Sequence, residues 1–296
     1  MPGRRRSPLR NWAEYLIARA LVEMLRRLPL RAAAWLARCS GRLLDLALPR
    51  LRRTALSNLA MAMPELDPAR RKEIADGVFE SIGRVLLAFA RFPDLHRGNI
   101  AQWIEYDGYE HFEEAKRRGR GVLFATGHLG NWELSAFAHG LLSEPLNVVV
   151  RPLDNPLIDR LVEQRRALSG NRIIEKRDFA RSILKALAAN EAVGILVDQN
   201  TTLDAGVFVD FFGIPACTNA TFARLAAHTG AAVIPGFAVW VAQERRYRLK
   251  FYPPVEISGD LTADTQRIQK AVERAIREYP DQWLWIHRRW KTRPPG

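Results

Sequence analysis

The stretch Gly121-Val-Leu-Phe-Ala-Thr-Gly-His-Leu-Gly-Asn-Trp-Glu133 decides the predicted fold. Its first six residues form a short apolar run that is typical of a buried strand, and Gly127 ends the run. From here to residue 279, apolar runs of strand length alternate with segments of helical periodicity. This alternation predicts an α/β fold with a mostly parallel or mixed sheet flanked by helices.

The predicted elements after residue 121 are short and closely spaced. Strands are expected at 121–126, 146–150, 173–174, 193–197, 206–212, 231–241 and 247–252. Helices are expected at 131–143, 156–169, 178–189, 219–229 and 263–279. In a sheet of this kind, the chemistry belongs at the carboxyl ends of the strands.

The first hundred residues differ from the rest, because helical patterns fill 12–48, 54–61 and 67–92. We therefore predict a disordered basic tail over 1–11, a membrane-associating helical extension over 12–100 and an α/β domain over 101–296. The net charge of +13 is concentrated at this end of the chain. Residues 1–53 carry thirteen arginines against three acidic residues, a local net charge of +10. A GC-rich genome is an alternative source of the arginine bias.

The pattern between Trp12 and Leu28 is amphipathic, with apolar residues on one helical face and charged residues opposite. A second helical pattern covers 31–48. Such an arginine-flanked helical hairpin suits the interface of an anionic membrane. The alternative is a pair of helices packed on the domain, with solvated arginines. The two interpretations are compatible with each other. No spanning segment is expected, since the longest uncharged stretch, 225–243, is interrupted by polar residues, glycine and proline. No signal peptide is expected, because no uninterrupted apolar stretch follows the basic residues Arg4-Arg5-Arg6.

Several kinds of site are excluded by composition and spacing. Two cysteines, Cys39 and Cys217, cannot form a disulfide framework or a cysteine-rich metal site, and no metal is expected. A nucleophilic serine elbow is also missing, which favours direct transfer to an acceptor over a covalent enzyme intermediate. In the tail, tryptophans alternate with basic residues. Stacking on nucleic acid is one interpretation, but we favour packing on the domain near a membrane interface and expect no nucleic acid partner.

His128 and Glu133 directly follow the strand at 121–126 and are the candidate catalytic residues. Within one helix, residues five apart point about 140° away from each other. The two side chains can meet if His128 lies in the turn and Glu133 in the first helical turn, a bend that Gly127 and Gly130 allow. The pattern then predicts a general base, His128, which Glu133 orients and makes more basic. A helix-end Glu and a merely hydrogen-bonded loop His are the structural alternatives.

Further residues around this turn are candidates for holding charge. Asn131 is of a residue type that caps helices, so backbone amides near Gly130 and Asn131 are expected to stabilise an oxyanion at the helix N-terminus. Arg151 and Arg166 flank the helix predicted at 156–169. Arginine suits forked contacts with phosphate, although a solvated helix face is the alternative.

The chain also resembles a known family through most of its length. The segment GHLGNWE has the His-x4-Asp/Glu spacing of glycerolipid-type acyltransferases and is similar to the form in the bacterial lipid A biosynthesis acyltransferases, the lauroyl and myristoyl transferases. Further blocks of that family are matched in order by Asn58-Leu59, Met63-Pro64-Glu65, Val150-Arg151-Pro152, Asn155-Pro156-Leu157, Arg166, Gly170, Val197-Asp198-Gln199, Phe208 to Thr218 and Pro280 to Pro294. These blocks in this order are highly specific.

The resemblance implies a glycerolipid acyltransferase-like fold and an O-acyltransferase. Such an enzyme moves a fatty acyl chain from an acyl thioester to a hydroxyl of a lipid A precursor in lipopolysaccharide biosynthesis. The donor would be an acyl carrier protein or acyl-CoA, and no cofactor would be needed. Another glycolipid or a lysophospholipid is the alternative acceptor. The resemblance further implies a peripheral or monotopic protein at the cytoplasmic face of the bacterial inner membrane.

The resemblance also implies roles for individual residues. Arg166 and Asp198 match positions implicated in the activity of the family. Residues expected to bind substrate are Arg151, Asn155, Arg166, Asp198 and Gln199. Asp198 closes an apolar strand, where a site residue is expected but a simple turn cap is also possible. An inactive, basic scaffold or RNA-binding protein is the competing class, and the presence of both His128 and Glu133 argues against it.

Overall fold

A computed structural model describes residues 7–175 and 179–295. Four helices precede the first strand: α1 (Pro8–Arg27), α2 (Leu30–Ala47), α3 (Pro49–Ala62) and α4 (Pro68–Arg91). The helix α1 begins at Pro8, so residues 8–11 are helical and the prediction of disorder is wrong there. Proline is well suited to the first turn of a helix, because its missing N–H would be unpaired in any case. Residues 1–6 of the predicted tail lie outside the described residues.

Strands and helices alternate from residue 104 onwards. The strands are β1 (Ile104–Asp107), β2 (Val122–Thr126), β3 (Asn147–Val150), β4 (Arg172–Glu175), β5 (Ala192–Leu196), β6 (Gly206–Phe211), β7 (Ile214–Asn219), β8 (Ala232–Val241) and β9 (Arg246–Phe251). The helices are α5 (Tyr109–Arg117), α6 (Trp132–Leu142), α7 (Pro156–Arg166), α8 (Phe179–Ala188), α9 (Thr221–Thr229) and α10 (Leu261–Glu278). Most predicted elements are found within about two residues, whereas β1, α5 and β7 were not predicted.

Seven strands form one mixed sheet in the order β1-β9-β8-β2-β5-β3-β4. All neighbours are parallel except β8 and β9, which are antiparallel. The remaining strands, β6 and β7, form a separate antiparallel pair. The predicted α/β class with a mostly parallel sheet is therefore confirmed, and helices flank the sheet as expected.

The register between β2 and β5 determines where the candidate site forms. Thr126 at the end of β2 lies opposite Leu196 at the end of β5 in the parallel pair. The chain therefore leaves both strands at the same edge, and the segments beginning with Gly127 and Val197 start side by side. Residues that are 70 positions apart in sequence meet in this way.

The N-terminal helices are packed on α4. Small residues allow a close approach, since a Cβ on Gly41 of α2 would lie 2.3 Å from the carbonyl oxygen of Phe79. Buried residues of α1 and α2 also pack on Leu87 and Ala90 of α4. The packed alternative for the hairpin is thus correct, although its outer face stays exposed. Among the described residues, no helix is long and apolar enough to cross a bilayer.

The segment after α10 returns to the sheet and is largely buried. The side chains of Trp283, Trp285 and Trp290 are 1%, 0% and 3% exposed, and they pack against Phe211 and Phe212. The expectation that this tail packs on the domain is therefore confirmed. Because the indole rings are buried, they are not available for stacking on nucleic acid bases.

Candidate active site

The turn between β2 and α6 is fixed by three backbone hydrogen bonds. The carbonyl of His128 accepts from the N–H of Leu284 at 3.0 Å, and the N–H of Gly130 donates to the carbonyl of Gln282 at 3.0 Å. The N–H of Asn131 donates to the carbonyl of Ala238 at 2.7 Å. Gly130 has a φ of +64°, and a Cβ there would lie 2.0 Å from the Ala238 oxygen. Only glycine fits this position of the turn.

These bonds show that the predicted oxyanion site at the amides of Gly130 and Asn131 is wrong. The amides of Gly130 and Asn131 were expected to face a developing negative charge, but both donate to backbone carbonyls. The Asn131 side chain has the capping role that was predicted, since its Oδ1 accepts from the N–H of Leu134 at 3.0 Å. At the start of α6, the amides of Trp132 and Glu133 are at positions that have no acceptor inside a helix.

His128 is held by Asp198, which lies at the end of the neighbouring strand. The Nδ1 atom of His128 lies 2.9 Å from Asp198 Oδ1, and the backbone N–H of His128 donates to Asp198 Oδ2 at 2.7 Å. The Asp198 side chain is 3% exposed and that of His128 is 15% exposed. An ionised carboxylate only accepts hydrogen bonds, so Nδ1 carries the proton and Nε2 keeps its lone pair as an acceptor.

The two groups shift each other's pKa values. Burial alone would raise the pKa of Asp198, but the His128 charge and the bonds from His128 and Trp283 outweigh it and lower this pKa to about 2. Burial alone would lower the pKa of His128, but the nearby charges of Asp198 and Glu133 raise it above its usual value. The pair is therefore an anionic carboxylate with a histidine of increased basicity.

Glu133 is bonded to Arg166, which corrects the predicted contact between Glu133 and His128. Arg166 donates from Nε to Glu133 Oε2 at 2.8 Å and from Nη2 to Oε1 at 2.6 Å. Glu133 lies in the first turn of α6 and points toward the end of α7. There the planar guanidinium of Arg166 binds both carboxylate oxygens of Glu133. Asp198 takes the orienting contact that spacing alone had assigned to Glu133. Glu133 still acts on His128 through its charge.

Two of the predicted substrate-binding residues have different surroundings. Asn155 is 3% exposed and caps α7, since its Oδ1 accepts from the N–H groups of Leu157 and Ile158. Its Nδ2 donates to the Asn11 carbonyl at 3.0 Å and to Glu14 at 3.1 Å. Asn155 thus ties α7 to α1, and the prediction that it binds substrate is wrong, because its side chain is engaged in these bonds. Arg151 has a side chain that is 79% exposed, and it pairs with Asp154 at 3.5 Å.

A large cavity opens beside His128. Its volume is about 1150 Å³, and its polar end is lined by Thr126, His128, Glu133, Arg166 and Gln199. The Gln199 side-chain nitrogen lies 3.4 Å from His128 Nε2. Most of the remaining wall is apolar and includes Phe89, Phe92, Phe124, Phe137, Val148 and Phe251. A cavity of this size is somewhat larger than the roughly 300–1,000 Å³ of typical small-molecule sites.

The C-terminal tail contributes contacts that sequence reasoning missed. Trp283 Nε1 donates to Asp198 Oδ2 at 2.8 Å, and His287 Nε2 accepts from the N–H of Asn200 at 3.2 Å. The tail block at 280–294 was matched as a motif, but its position against the turn between β2 and α6 depends on long-range packing. One sequence feature that indicates burial of this tail is the presence of two large aromatic residues, Trp283 and Trp285, in an otherwise highly basic segment.

Proteins of similar sequence show the family to which this chain belongs. The profile of the family described as bacterial lipid A biosynthesis acyltransferase matches residues 4–292. The chain is 34% identical over 247 residues to the lipid A biosynthesis lauroyltransferase of Escherichia coli strain K12, covering 81% of this chain and 78% of that protein. It is 31% identical over 250 residues to the palmitoleoyltransferase of the same organism, with 82% and 79% covered. The chain belongs to this family and is an acyltransferase, so the resemblance seen in the sequence is confirmed.

Proposed function

We propose that this protein transfers a fatty acyl chain from an acyl thioester to a hydroxyl group of a lipid A precursor. The observation that carries the proposal is the arrangement of His128. Its Nδ1 is bonded to a buried carboxylate, and the residue borders the polar end of an apolar cavity. A histidine held in this way is suited to act as a general base through Nε2.

In the proposed reaction, His128 Nε2 takes the proton from the acceptor hydroxyl while its oxygen attacks the thioester carbonyl carbon. A C–O bond forms, the C–S bond breaks, and the proton passes from His128 to the leaving thiolate. Asp198 keeps Nδ1 protonated and stabilises the imidazolium formed on the way. General-base assistance of this kind contributes about 10²–10⁴-fold. The N-terminus of α6, with the amides of Trp132 and Glu133, favours the negative carbonyl oxygen.

We infer that the apolar part of the cavity holds the acyl chain. Its aromatic and aliphatic wall begins next to His128, so a chain lying there would present its thioester to the base. Both candidate donors, an acyl carrier protein and acyl-CoA, carry phosphate, and the exposed Arg151 borders the cavity. The high positive charge of the chain favours the acyl carrier protein, because carrier proteins are acidic.

The ion pair between Arg166 and Glu133 suits a phosphorylated acceptor. The guanidinium has five N–H groups, of which the two bonds to Glu133 use two. Glu133 thereby fixes the plane of the guanidinium at the polar end of the cavity. An acceptor phosphate bound to the other N–H groups would bring a neighbouring hydroxyl toward His128. Arg166 thus remains our candidate for acceptor binding.

The outer face of α1 and α2 supports contact with a membrane. Its exposed apolar residues are Leu9, Trp12, Leu16, Ile17, Met24, Leu30, Trp35, Leu43 and Leu46. Exposed arginines accompany them at 10, 19, 27, 31, 38 and 42. The acidic residues of these two helices are ion-paired and only partly exposed.

We propose that this face lies on the anionic cytoplasmic surface of the inner membrane, where each arginine contributes about 1 kcal/mol. Because α1 also borders the cavity, a lipid acceptor could enter from the bilayer.

The test uses purified protein with one acyl chain attached either to an acyl carrier protein or to CoA. A lipid A precursor, a lysophospholipid and water are offered as acceptors, and His128→Ala is the control. Acylation of the lipid A precursor that requires His128 is expected. Acylation of the lysophospholipid alone would show the proposed reaction type but a different acceptor. RNA binding without acyl transfer would favour the inactive scaffold. Mass spectrometry of lipid A from cells lacking the protein should then show one secondary acyl chain missing.

A further inference from the structure

The indole N–H of Trp283 is aimed at the carboxylate that holds His128. Trp283 Nε1 lies 2.8 Å from Asp198 Oδ2, and the Trp283 side chain is 1% exposed. Asp198 therefore accepts three bonds, from the His128 ring, the His128 backbone N–H and Trp283. A buried carboxylate needs donors of this kind to remain charged.

The backbone around Trp283 is attached to the same turn. Trp283 forms an antiparallel bridge with Leu129, and the next residue, Leu284, donates its N–H to the carbonyl of His128. On the other side of the bridge, Gln282 accepts from Gly130. The segment is therefore attached to the turn between β2 and α6 by one β-bridge and the two flanking backbone hydrogen bonds. This placement fixes the height of the Trp283 ring relative to Asp198.

We propose that Trp283 is a positioning residue, whose indole N–H fixes Asp198 in the orientation that holds His128 Nδ1. The chain of contacts runs from the tail through the carboxylate to the base, while Glu133 is bonded to Arg166. The effect on acyl transfer rests on the proposed function, whereas the effect on His128 itself does not.

Removing the indole donor has a defined electrostatic effect. The Trp283 bond withdraws negative charge from Asp198, and without it the carboxylate attracts the His128 proton more strongly. Other groups that face this pair are Glu133 from α6 and His287 and Arg289 from the tail. Replacement of Trp283 by Phe leaves those charges in the chain. The pKa of His128 should therefore rise.

The experiment compares Trp283→Phe with Trp285→Phe. Trp285 is a matched control, because it is also fully buried in the tail and its Nε1 donates to the Pro280 carbonyl at 2.7 Å, away from Asp198. In Trp283→Phe, the acidic limb of the kcat/KM profile should move to higher pH by up to about one unit, the scale of one hydrogen bond to a charged group. In Trp285→Phe, this limb should stay in place even if the protein is less stable.

A second measurement needs no substrate. Histidine labelled with ¹⁵N is titrated by NMR, and the His128 signal is assigned by its loss in His128→Ala. A higher pKa of His128 in Trp283→Phe alone supports the proposal, and equal values in wild type and both variants overturn it. If the wild type transfers no acyl chain, the proposed function fails while this titration still decides the role of Trp283.

The unaltered protein provides a readout in case Trp283→Phe does not fold. The indole N–H resonance of Trp283 should shift with pH together with the titration of His128, because Asp198 connects them. An indole resonance that does not follow the His128 titration would overturn the proposal.

Discussion

Glu133 and Arg166 form a two-point ion pair at the polar end of the cavity, with N–O distances of 2.8 and 2.6 Å. The Glu133 side chain is 13% exposed and that of Arg166 is 22% exposed, so neither charge is well solvated. In such surroundings, removal of one partner leaves the other charge uncompensated, which costs more than the pair itself contributes. The two residues therefore act as a unit.

Arg166→Ala should lower kcat/KM by roughly ten- to a hundredfold, corresponding to about 1.5–3 kcal/mol for a lost charge-assisted contact. Arg166→Lys should recover only part of the loss, because an ammonium cannot form the planar two-point contact. The control is Arg160→Ala, an exposed arginine on the same helix. Steady-state kinetics with the lipid A precursor measure the effect, and full activity of Arg166→Ala would contradict the assignment.

Asp198→Asn should be more damaging than Glu133→Gln. An Asn amide can donate to His128 Nδ1 and leave Nε2 protonated, so we expect kcat to fall by roughly 10³–10⁴-fold, the scale known for a carboxylate that orients a catalytic histidine. Glu133→Gln removes a charge but keeps one acceptor oxygen for Arg166. Glu144→Gln, which disrupts the partly buried pair with Lys116, is the control for folding effects. A larger loss of kcat in Glu133→Gln than in Asp198→Asn would indicate that Glu133, and not Asp198, orients His128.

Stability should fall below pH 6.5 because of His139. Burial lowers the pKa of His139 to about 3, and its Nδ1 is bonded to Tyr106 at 2.9 Å. Above pH 6.5 the residue is neutral in both folded and unfolded chains. As the pH falls further, only the unfolded chain takes up a proton here, and unfolding free energy decreases by up to about 1.4 kcal/mol per pH unit. Urea unfolding at pH 7.5 and 5.5 should show a smaller decrease in His139→Phe. His228→Gln, at an exposed position, should behave as the wild type.

Membrane binding should depend on the exposed apolar residues of the first two helices. Replacing Trp12, Ile17, Trp35 and Leu43 by Ser should weaken binding to vesicles containing anionic phosphatidylglycerol by more than roughly tenfold, since each side chain contributes about 1.5–3 kcal/mol when buried. These side chains point outward, so the packing on α4 is kept. Leu168→Ser with Leu203→Ser, two exposed positions elsewhere, is the control. If the fourfold variant still sediments with vesicles to the same extent, another surface of the protein binds the membrane.

The sequence predicts well what depends on local pattern. The run before Gly127 is continuous and apolar, and β2 is found at Val122–Thr126, one residue shorter than expected. The strand β1 was missed because Ile104-Glu-Tyr-Asp107 has only one fully buried residue and no apolar run. The strand β7 contains Pro215, which weakened the pattern, and it pairs only with β6.

The partner of His128 was predicted wrongly for a different reason. Spacing identified Glu133 as the nearest carboxylate in sequence, but β5 lies next to β2 and delivers Asp198 to the same edge of the sheet. Strand order is a global property, and a helical spacing rule contains no information about it. In the same way, the amides of Gly130 and Asn131 looked free until β8 and the tail were seen to accept from them.

The bridge between Leu129 and Trp283 also affects the order in which the working site can be assembled during synthesis. The ribosome makes Trp283 after His128, Glu133, Arg166 and Asp198, so these four residues are synthesised before their contacts with the tail can form. Until the tail arrives, the turn between β2 and α6 lacks the partners of the His128 carbonyl and the Gly130 amide. A nascent chain, or one shortened by a stop codon before residue 283, would therefore contain all four residues but leave the turn that carries His128 without its tail contacts, and we expect it to be inactive.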